Sequence, residues 1–449
     1  MNLDKLIGRR LLTKELDDKS VKDLPFVNTM PAMIKINGEY KCMRCDSLID
    51  KGTKTFDPIR KKYFYYCDNC IQMNRVDSDE HLFHIKEEDV LREAPTDKIL
   101  TWKGKLTPGQ EKISNELLET YQKREDLLVH AVTGAGKTEM LFAVIAQALK
   151  EGARVGIASP RIDVCLELFP RIEEAFSTTD AQLLYGGQTE DYRYTPLVVA
   201  TTHQLLRFYQ AFDLLIIDEV DSFPYAYDPS LNFAAKNVVR TDGCTVFLSA
   251  TPNAQVMSDV ASGKTKRTIL SARYHKHALV VPKFIFSNKL RETINDGSIP
   301  RSLAKNIEKF RQEKWPLLIF CGEIKLMEKL EKILNKKYPG EIKSVHAGSS
   351  DRKEIVEEMR RGEVKILLTT TILERGVTFT GVNVIVLESN HRVFNSSSLV
   401  QISGRVGRKV ERYDGEVLFI HDGVSEAMKL ARKEIVEMNN LARKERLIG

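Results

Sequence analysis

The chain has 449 residues and a net charge of +6, with 42% hydrophobic and 29% charged residues. This composition is typical of a soluble globular protein of two or three domains. No run of 18 apolar residues occurs and residues 1–20 hold acids among their bases, so we expect neither a spanning helix nor a secretory signal. The predicted location is the cytoplasm, and any contact with the inner face of the cell membrane would be peripheral.

Two CxxC pairs dominate the N-terminal part of the chain. Residues 1–35 carry no strong pattern and are predicted to be an N-terminal extension, whereas residues 36–75 contain Cys42, Cys45, Cys67 and Cys70. The pairs are 21 residues apart, just beyond the usual zinc-ribbon spacing of about 15–20. The odd total of seven cysteines argues against a disulfide framework. We therefore predict a closed structural Zn²⁺ site that supports the folding of a small module.

Alternatives stay open around this module. A redox pair would need a thioredoxin-like βαβ context, which is lacking. His81 and His84 could replace a cysteine ligand, or they could be ordinary surface residues. Residues 60–66 mix bases with aromatic rings, which suits either a nucleic-acid surface or a strand that packs a small core. Residues 76–100 are acidic and polar, and they are predicted to be a linker.

From about residue 101, short apolar strands alternate with amphipathic helices. Buried parallel strands are predicted at 127–131, 154–158, 197–200, 213–217 and 245–249, with helices at 139–149 and 163–176. A second series of strands is predicted at 316–320, 342–345, 364–368, 382–387 and 416–420. This order predicts two α/β domains built from right-handed crossovers, over residues 101–275 and 276–449.

A phosphate-binding loop is predicted at residues 131–138, between a strand and a helix. Its two glycines permit a tight backbone whose N–H groups face phosphate oxygens, although Ala131 replaces the first glycine of the general pattern. Lys137 would contact the β- and γ-phosphates of ATP, and the Thr138 hydroxyl would bind Mg²⁺. The predicted nucleotide-binding residues of the loop are Thr133, Gly134, Ala135, Gly136, Lys137 and Thr138.

Residues 213–221 form an apolar strand that ends in acids. The carboxyl end of a parallel strand is the edge where ligands bind. We predict that Asp218 holds Mg²⁺ through water and that Glu219 orients or deprotonates the attacking water. Residues 249–251, Ser-Ala-Thr, fit a relay from this site toward a second ligand.

Gln110 lies just upstream of the phosphate loop, and its position allows two interpretations. It could contact the adenine and select ATP over other nucleotides. Alternatively, Thr107 simply caps a helix that begins near Pro108.

Two arginines near the C-terminal end complete the predicted nucleotide site. Residues 401–408 read Gln-Ile-Ser-Gly-Arg-Val-Gly-Arg. Arg405 and Arg408 have the pattern of arginine fingers from a second domain that reach the γ-phosphate. A site divided in this way opens and closes with hydrolysis, as in a motor. Residues 271–449 hold 33 Lys and Arg against 23 Asp and Glu, which suits a polyanion or a solvated lysine-rich face.

Together these motifs resemble superfamily-2 helicases over about residues 101–425. The order is the phosphate loop, Ser159-Pro-Arg, Thr201-Thr-His, DEVD, SAT, residues 370–377 and residues 401–408. With the four cysteines ahead of them, the whole chain resembles the late-competence ComFA family, cytoplasmic ATPases associated with DNA uptake. The resemblance implies two tandem RecA-like domains after a zinc module, stimulation by single-stranded DNA, and partners in the uptake machinery.

The resemblance also assigns roles to matched residues. The path of the single nucleic-acid strand, called the nucleic-acid path below, would be formed by Pro160, Arg161, Thr202, His203, Thr370 and Gly376. Gln401 would link the nucleotide state to domain closure. Many relatives place an acid two residues after Gly376, where this chain has Thr378, so any role of that acid is not carried over. The loops of this path suit phosphates and sugars and do not read base edges.

The predicted function is an ATP-dependent single-stranded DNA translocase or helicase that drives or assists uptake of transforming DNA. A replication-restart or repair helicase is a second enzyme hypothesis, but its zinc cysteines would lie inside the second motor domain. A zinc-dependent DNA-binding adaptor is the non-enzyme hypothesis, and the intact motor residues argue against it.

Overall fold

The computed structural model describes residues 3–16, 19–86, 98–188, 190–313, 315–377, 379–408 and 410–448. The chain forms two compact units. The first comprises Met1–Leu106, Glu111–Val129 and Thr138–Thr268. The second comprises Thr107–Gln110, His130–Lys137 and Ile269–Gly449, so it includes the predicted phosphate loop.

Short antiparallel strands build the N-terminal part of the first unit. They are β1 (Leu11–Leu12), β2 (Asn28–Pro31), β3 (Met33–Ile36), β4 (Glu39–Cys42), β5 (Lys54–Asp57), β6 (Lys62–Tyr65) and β7 (His81–His84). They form a three-stranded sheet of order β1-β7-β2 and two hairpins, β3-β4 and β5-β6. Backbone hydrogen bonds join this part to the rest of the unit, from Arg10 N to Arg207 O at 2.8 Å and from Tyr209 N to Gly8 O at 2.9 Å.

A seven-stranded sheet of order β10-β11-β9-β12-β13-β8-β14 follows along the chain. Its strands are β8 (Asp126–Ala131), β9 (Val155–Ser159), β10 (Ala181–Leu184), β11 (Leu197–Thr201), β12 (Phe212–Ile217), β13 (Val239–Ser249) and β14 (Thr265–Leu270). The accompanying helices are α1 (Pro108–Gln122), α2 (Lys137–Lys150), α3 (Ile162–Ala175), α4 (Pro229–Val238) and α5 (Ala254–Ala261). Strands β9, β11 and β12 are buried along nearly their whole length, as expected of parallel strands covered on both faces.

The second unit contains a six-stranded sheet of order β15-β20-β19-β16-β18-β17 whose recorded pairings are all parallel. Its strands are β15 (Lys283–Phe286), β16 (Leu317–Phe320), β17 (Ile342–Val345), β18 (Ile366–Thr369), β19 (Asn383–Leu387) and β20 (Val417–His421). The helices are α6 (Leu290–Asn295), α7 (Arg301–Gln312), α8 (Ile324–Lys337), α9 (Arg352–Arg361), α10 (Ser396–Ser403) and α11 (Glu426–Lys444). An apolar core packs between this sheet and helices that include α6, α7 and α8.

The predicted strands and helices of both sheets are confirmed to within a few residues, except that β13 begins earlier than predicted. Three strands of these two sheets were not predicted. β10 and β14 carry polar residues within them, and β15 lies between the two predicted series of strands. Strand β7 lies inside the predicted linker, where Leu82 and Phe83 are buried; residues 87–97 of that linker lie outside the described residues.

Among the described residues, no helix combines the length and the apolar character needed to cross a membrane.

Candidate nucleotide site and nucleic-acid path

The phosphate loop connects β8 to α2 and has the backbone that its glycines permit. Gly134 and Gly136 have φ values of +79° and +73°, a left-handed conformation that glycine adopts without strain. Lys137 begins α2, where the unpaired N–H groups of a helix N-terminus favour an anion. The backbone of the loop therefore suits a phosphate group, while the contacts of Lys137 with phosphate and of Thr138 with Mg²⁺ stay predictions.

Gln110 holds the loop from one side and also caps a helix. Its side-chain Nε2 donates to Ala135 O at 2.9 Å and to Gly136 O at 3.3 Å. Its Oε1 accepts from Thr107 N at 2.9 Å, and its own backbone N donates to Thr107 Oγ1 at 3.4 Å. This reciprocal pair is a capping box at the start of α1. Thr107 is therefore a helix cap, while contact of Gln110 with adenine stays a prediction.

The acidic turn, residues 218–221 after β12, is hydrogen-bonded to the end of β13 and to the segment after it. The Asp221 carboxylate accepts hydrogen bonds from Ser249 Oγ and from Thr251 Oγ1, both at 2.6 Å. Asn253 Nδ2 donates to Val220 O at 3.2 Å, so the backbone of the acidic turn is held as well. Glu219 itself adopts a φ of +55°, which is uncommon for a residue with a side chain. Asp221 was not among the predicted site residues, although it is the last acid of DEVD.

Arg273 is a second residue that sequence reasoning missed. Its buried guanidinium donates to Thr133 O at 3.1 Å and to Val406 O at 2.8 Å, and it also contacts the carbonyls of Gly404 and Gly407. Within the second unit it thus joins the phosphate loop to the segment that precedes Arg408. Burial, and then the charge of Arg408, lowers the pKa of Arg273 to about 9. Its only signal in the sequence is its place among the basic and aromatic residues 273–277, between the two predicted series of strands.

The predicted fingers follow α10. Arg405 is buried and its Nε donates to Glu374 O at 3.1 Å, whereas Arg408 Nε donates to Gly404 O at 3.3 Å. Gln401 is buried in α10. A Cβ added at Gly404 would lie 2.1 Å from Thr133 Oγ1, so only glycine fits so closely against the loop. The finger roles of both arginines stay a prediction, as does the switch role of Gln401.

Path residues of the first unit follow the ends of neighbouring strands. Thr201 pairs with Ser159 where β11 and β9 run side by side, and Ile217 pairs with Ala158 where β12 and β9 do. The segments that begin at Pro160, Thr202 and Asp218 therefore leave the sheet in a row. Asp218 N donates to Ala158 O at 2.8 Å, which fixes the register of this row.

The predicted path residues differ in exposure. Pro160 and His203 line a cavity of about 780 Å³, together with Thr201 and Gln204. Thr202 is fully buried, and Arg161 forms an ion pair with Asp163 at 3.8 Å. Burial lowers the pKa of His203, so its imidazole is neutral near pH 7. Contact with a nucleic acid stays a prediction for all four.

In the second unit, Thr370 precedes a short 3₁₀ turn and Gly376 has a φ of +71°. Between them, Glu374 accepts a hydrogen bond from Ser398, and Arg375 donates to Ser397 at 3.2 Å. The segment of Thr370 and Gly376 is thus tied to α10, which leads to Arg405. Thr378, where relatives place an acid, lies outside the described residues.

The four paired cysteines form one buried cluster. Their sulfur atoms all lie within 4.8 Å of one another, with Cys42 and Cys70 Sγ 3.9 Å apart and Cys45 and Cys67 Sγ 3.4 Å apart. Tetrahedral zinc with bonds of about 2.3 Å would place its sulfurs about 3.8 Å apart. Four thiols so close cannot all ionise without a cation, and sharing hydrogen bonds with Cys42 raises the pKa of Cys70. The donor set therefore fits Zn²⁺.

Neither histidine belongs to this cluster. His81 and His84 lie on β7, and His84 is buried with its ring 5.1 Å from that of Tyr209. The aromatic and basic segment forms the hairpin β5-β6. Tyr63 is 65% exposed beside Phe56, whereas Phe64 is buried, so one face of the hairpin packs a core and the other faces solvent.

Three family models match the chain. The ComFA N-terminal domain matches residues 2–84, the DEAD/DEAH box helicase residues 107–260 and the helicase conserved C-terminal domain residues 299–410. In fold, the chain is similar to the solved structure of Mss116p bound to ssRNA and AMP-PNP. The TM-score is 0.55 at 19% identity, covering 74% of this chain and 77% of that chain. The chain thus has two RecA-like domains and is an ATP-hydrolysing enzyme of helicase superfamily 2.

Two relatives match nearly the whole chain. Competence protein ComFA of Streptococcus pneumoniae is 46% identical over 443 residues, which is 98% of this chain and 99% of the relative. Competence protein ComFA of Bacillus subtilis is 42% identical over 406 residues, 90% of this chain and 87% of the relative. By its N-terminal domain, its helicase domains and these relatives, the chain belongs to the ComFA family of competence proteins.

Proposed function

We propose that this enzyme is a translocase that hydrolyses ATP while it moves along single-stranded DNA, and that it drives or assists uptake of transforming DNA during competence. The observation that carries the proposal is the row of strand ends in the first unit. Pro160, Thr202 and Asp218 follow β9, β11 and β12, which are neighbours in the sheet. Asp218, the proposed Mg²⁺ ligand, follows a strand that is adjacent to the strand before Pro160. A change in position at Asp218 is therefore transmitted to the predicted nucleic-acid path across one pair of neighbouring strands.

Each ATP-site residue has a distinct proposed role. Lys137 neutralises the β- and γ-phosphates, Thr138 and Asp218 hold Mg²⁺, and Glu219 orients the attacking water. Arg405 and Arg408 stabilise the charge that develops on the γ-phosphate, and Gln401 reports the nucleotide state. Bound Mg²⁺ neutralises phosphate charge. Asp221 positions the acidic turn through Ser249 and Thr251, which lets that turn respond to the segment after β13.

Zn²⁺ is proposed at the four cysteines, where it would close the N-terminal module. The proposed partners are single-stranded DNA and proteins of the competence uptake machinery, as implied by membership of the ComFA family. The proposed location is the cytoplasm, at the inner face of the membrane when the protein engages that machinery.

Steady-state ATP hydrolysis tests the proposal. Rates are measured with no nucleic acid, with single-stranded DNA, with duplex DNA and with RNA, and Lys137→Ala serves as the inactive control. We expect single-stranded DNA to stimulate hydrolysis most. Equal rates under all four conditions would refute the proposal that hydrolysis drives movement along single-stranded DNA.

Movement needs its own measurement. A biotinylated single strand loaded with streptavidin is mixed with enzyme and ATP, and displacement of streptavidin is followed. Displacement from one end of the strand supports a translocase. Stimulated hydrolysis without displacement from either end would mean that the enzyme grips the strand without moving along it.

A further inference from the structure

The cavity that contains Pro160 and His203 has a second wall. Its volume is about 780 Å³, within the range of ligand pockets. One side belongs to the helicase domain and includes the strand-end residues. The other side belongs to the N-terminal part, with Lys5 and Arg9 before β1 and residues 69 and 72–74 beside the second cysteine pair. All of these residues lie in the first unit.

The acids that line this cavity are already engaged. Glu15 pairs with Arg44 and also accepts from Asn74 Nδ2 at 3.0 Å. Asp228 caps α4 by accepting from Ser230 N at 2.9 Å. The remaining two, Glu190 and Asp191, lie 3.6 Å from Arg193 and 4.0 Å from Lys5. None of these carboxylates forms an ion pair with the two arginines described next.

Arg9 and Arg207 line the cavity, and neither forms a direct ion pair with a carboxylate of the described residues, although Glu15 attracts both at longer range. Arg9 is only 8% exposed, stacks on Tyr192 with its guanidinium carbon 4.1 Å from the ring centre, and has no hydrogen-bond partner for Nε. Arg207 Nε is likewise buried and without a partner. The antiparallel bridge between Arg9 and Phe208 fixes the two arginines on adjacent backbone segments.

A buried guanidinium group beside a half-buried one is costly when no anion is in direct contact with either. Burial, with Arg207 adding repulsion, lowers the pKa of Arg9 to about 10, and burial also lowers the pKa of Arg207. Both are still cations at pH 7. His203 in the same cavity is neutral at that pH, so it neither adds to the positive charge nor offsets it. The arrangement is that of a built oxyanion site, in which planar guanidinium groups match phosphate geometry.

We propose that Arg9 and Arg207 bind a backbone phosphate of the single strand, so that the N-terminal zinc module forms one wall of the nucleic-acid path. This inference rests on the proposed function and extends it. The strand would pass between Pro160 and His203 on the helicase side and residues 69–74 on the zinc side. Phosphate contacts of this kind grip the backbone and carry no sequence preference.

The test compares Arg9→Met and Arg207→Met with wild type and with Arg124→Met. Methionine keeps most of the volume and removes the charge, and Arg124 is a control that does not line the cavity. Binding of fluorescent oligothymidylate is measured between about 50 and 200 mM salt. We expect each cavity variant to bind about tenfold more weakly. The slope of log affinity against log salt should fall by about 0.7 per lost phosphate contact.

Thermal stability separates a ligand site from a structural one. Because neither arginine forms a direct ion pair with a carboxylate of the described residues, the two variants should melt at or above the wild-type temperature in the absence of DNA. A lower melting temperature with an unchanged salt slope would overturn the proposal. Inorganic phosphate is the second probe: if it stabilises wild type while both variants retain the wild-type slope, the cavity is a free-anion site and the strand assignment fails.

The two proposals fail in different ways. If wild-type hydrolysis is stimulated by single-stranded DNA but Arg9→Met and Arg207→Met bind as tightly as wild type, only the cavity assignment is wrong. If both variants bind oligothymidylate more weakly and with a smaller salt slope than wild type, yet wild-type hydrolysis is not stimulated by single-stranded DNA, the cavity assignment stands and the motor is refuted.

Discussion

Thr251→Val tests whether the acidic turn communicates with the segment after β13. The Thr251 hydroxyl donates to Asp221 Oδ2 at 2.6 Å, and both residues are buried. Valine has nearly the same shape, so the substitution removes one hydrogen bond to a charged acceptor. Such a bond contributes about 1.5–3 kcal/mol. If this hydrogen bond stabilises the transition state of DNA-stimulated hydrolysis, its loss lowers the stimulated rate about ten- to 150-fold.

The assay is the ratio of stimulated to basal ATP hydrolysis. We expect Thr251→Val to lower the ratio while basal hydrolysis changes little, because Asp221 is held by two hydroxyls and only one is lost. Ser249→Ala should be more severe, since Ser249 Oγ also accepts from Thr251 N at 2.9 Å. The loss of activation free energy in the double variant should be smaller than the sum of the losses in the two single variants, because both hydrogen bonds end on the carboxylate of Asp221.

The matched control is Thr245→Val, the same chemical change at a position within β13, whereas Thr251 follows that strand. The Thr245 hydroxyl makes no hydrogen bond among the described residues, although its backbone N donates to Asp126 at 2.7 Å. An unchanged ratio in Thr251→Val would refute the coupling. An equal loss in Thr245→Val would show that the effect comes from strand packing alone.

Three further predictions concern other parts of the chain. Arg408→Ala should lower hydrolysis about a thousandfold in a phosphate-release assay, as expected when an arginine finger is lost, and a parent-like rate would remove Arg408 from the site. Arg273→Met should lower the free energy of unfolding by about 3 kcal/mol in urea, because two well-formed charged hydrogen bonds disappear, whereas the exposed Lys276→Met should not. Cys67→Ser should abolish stoichiometric zinc and weaken DNA binding or folding more than basal hydrolysis, and the module's role is wrong if chelation affects neither.

The sequence predicted both sheets well because parallel strands buried on two faces are continuous apolar runs. β9 and β12 are examples, and the acids and loops that follow them were located correctly as strand ends. Edge strands were harder. β14 has two consecutive exposed bases, Lys266 and Arg267, and such a pair breaks the alternation expected of a half-buried strand. The N-terminal sheet was missed because its strands have only two to four residues.

The site residues that escaped prediction act through tertiary contacts that leave no local pattern. Arg273 lies among lysine, histidine and aromatic residues, and nothing in these neighbours indicates that it reaches carbonyls more than 130 positions away. Arg9 and Arg207 are similar, since each is unremarkable in its own segment. Asp221 could have been found, because an acid closing a strand-end cluster beside a Ser-Ala-Thr segment has hydroxyl donors available.

The backbone bonds between residues 8–10 and 207–209 also set an order of events during synthesis. Residues 8–10 leave the ribosome early, but their hydrogen-bond partners at residues 207–209 follow about 200 residues later. At about 5–20 residues per second, the nascent chain waits roughly 10–40 s for them. All four cysteines of the cluster lie at or before residue 70, so the cluster can capture its metal ion during this interval. Zinc loading would then precede docking, and the helicase domain would close onto a module that is already rigid.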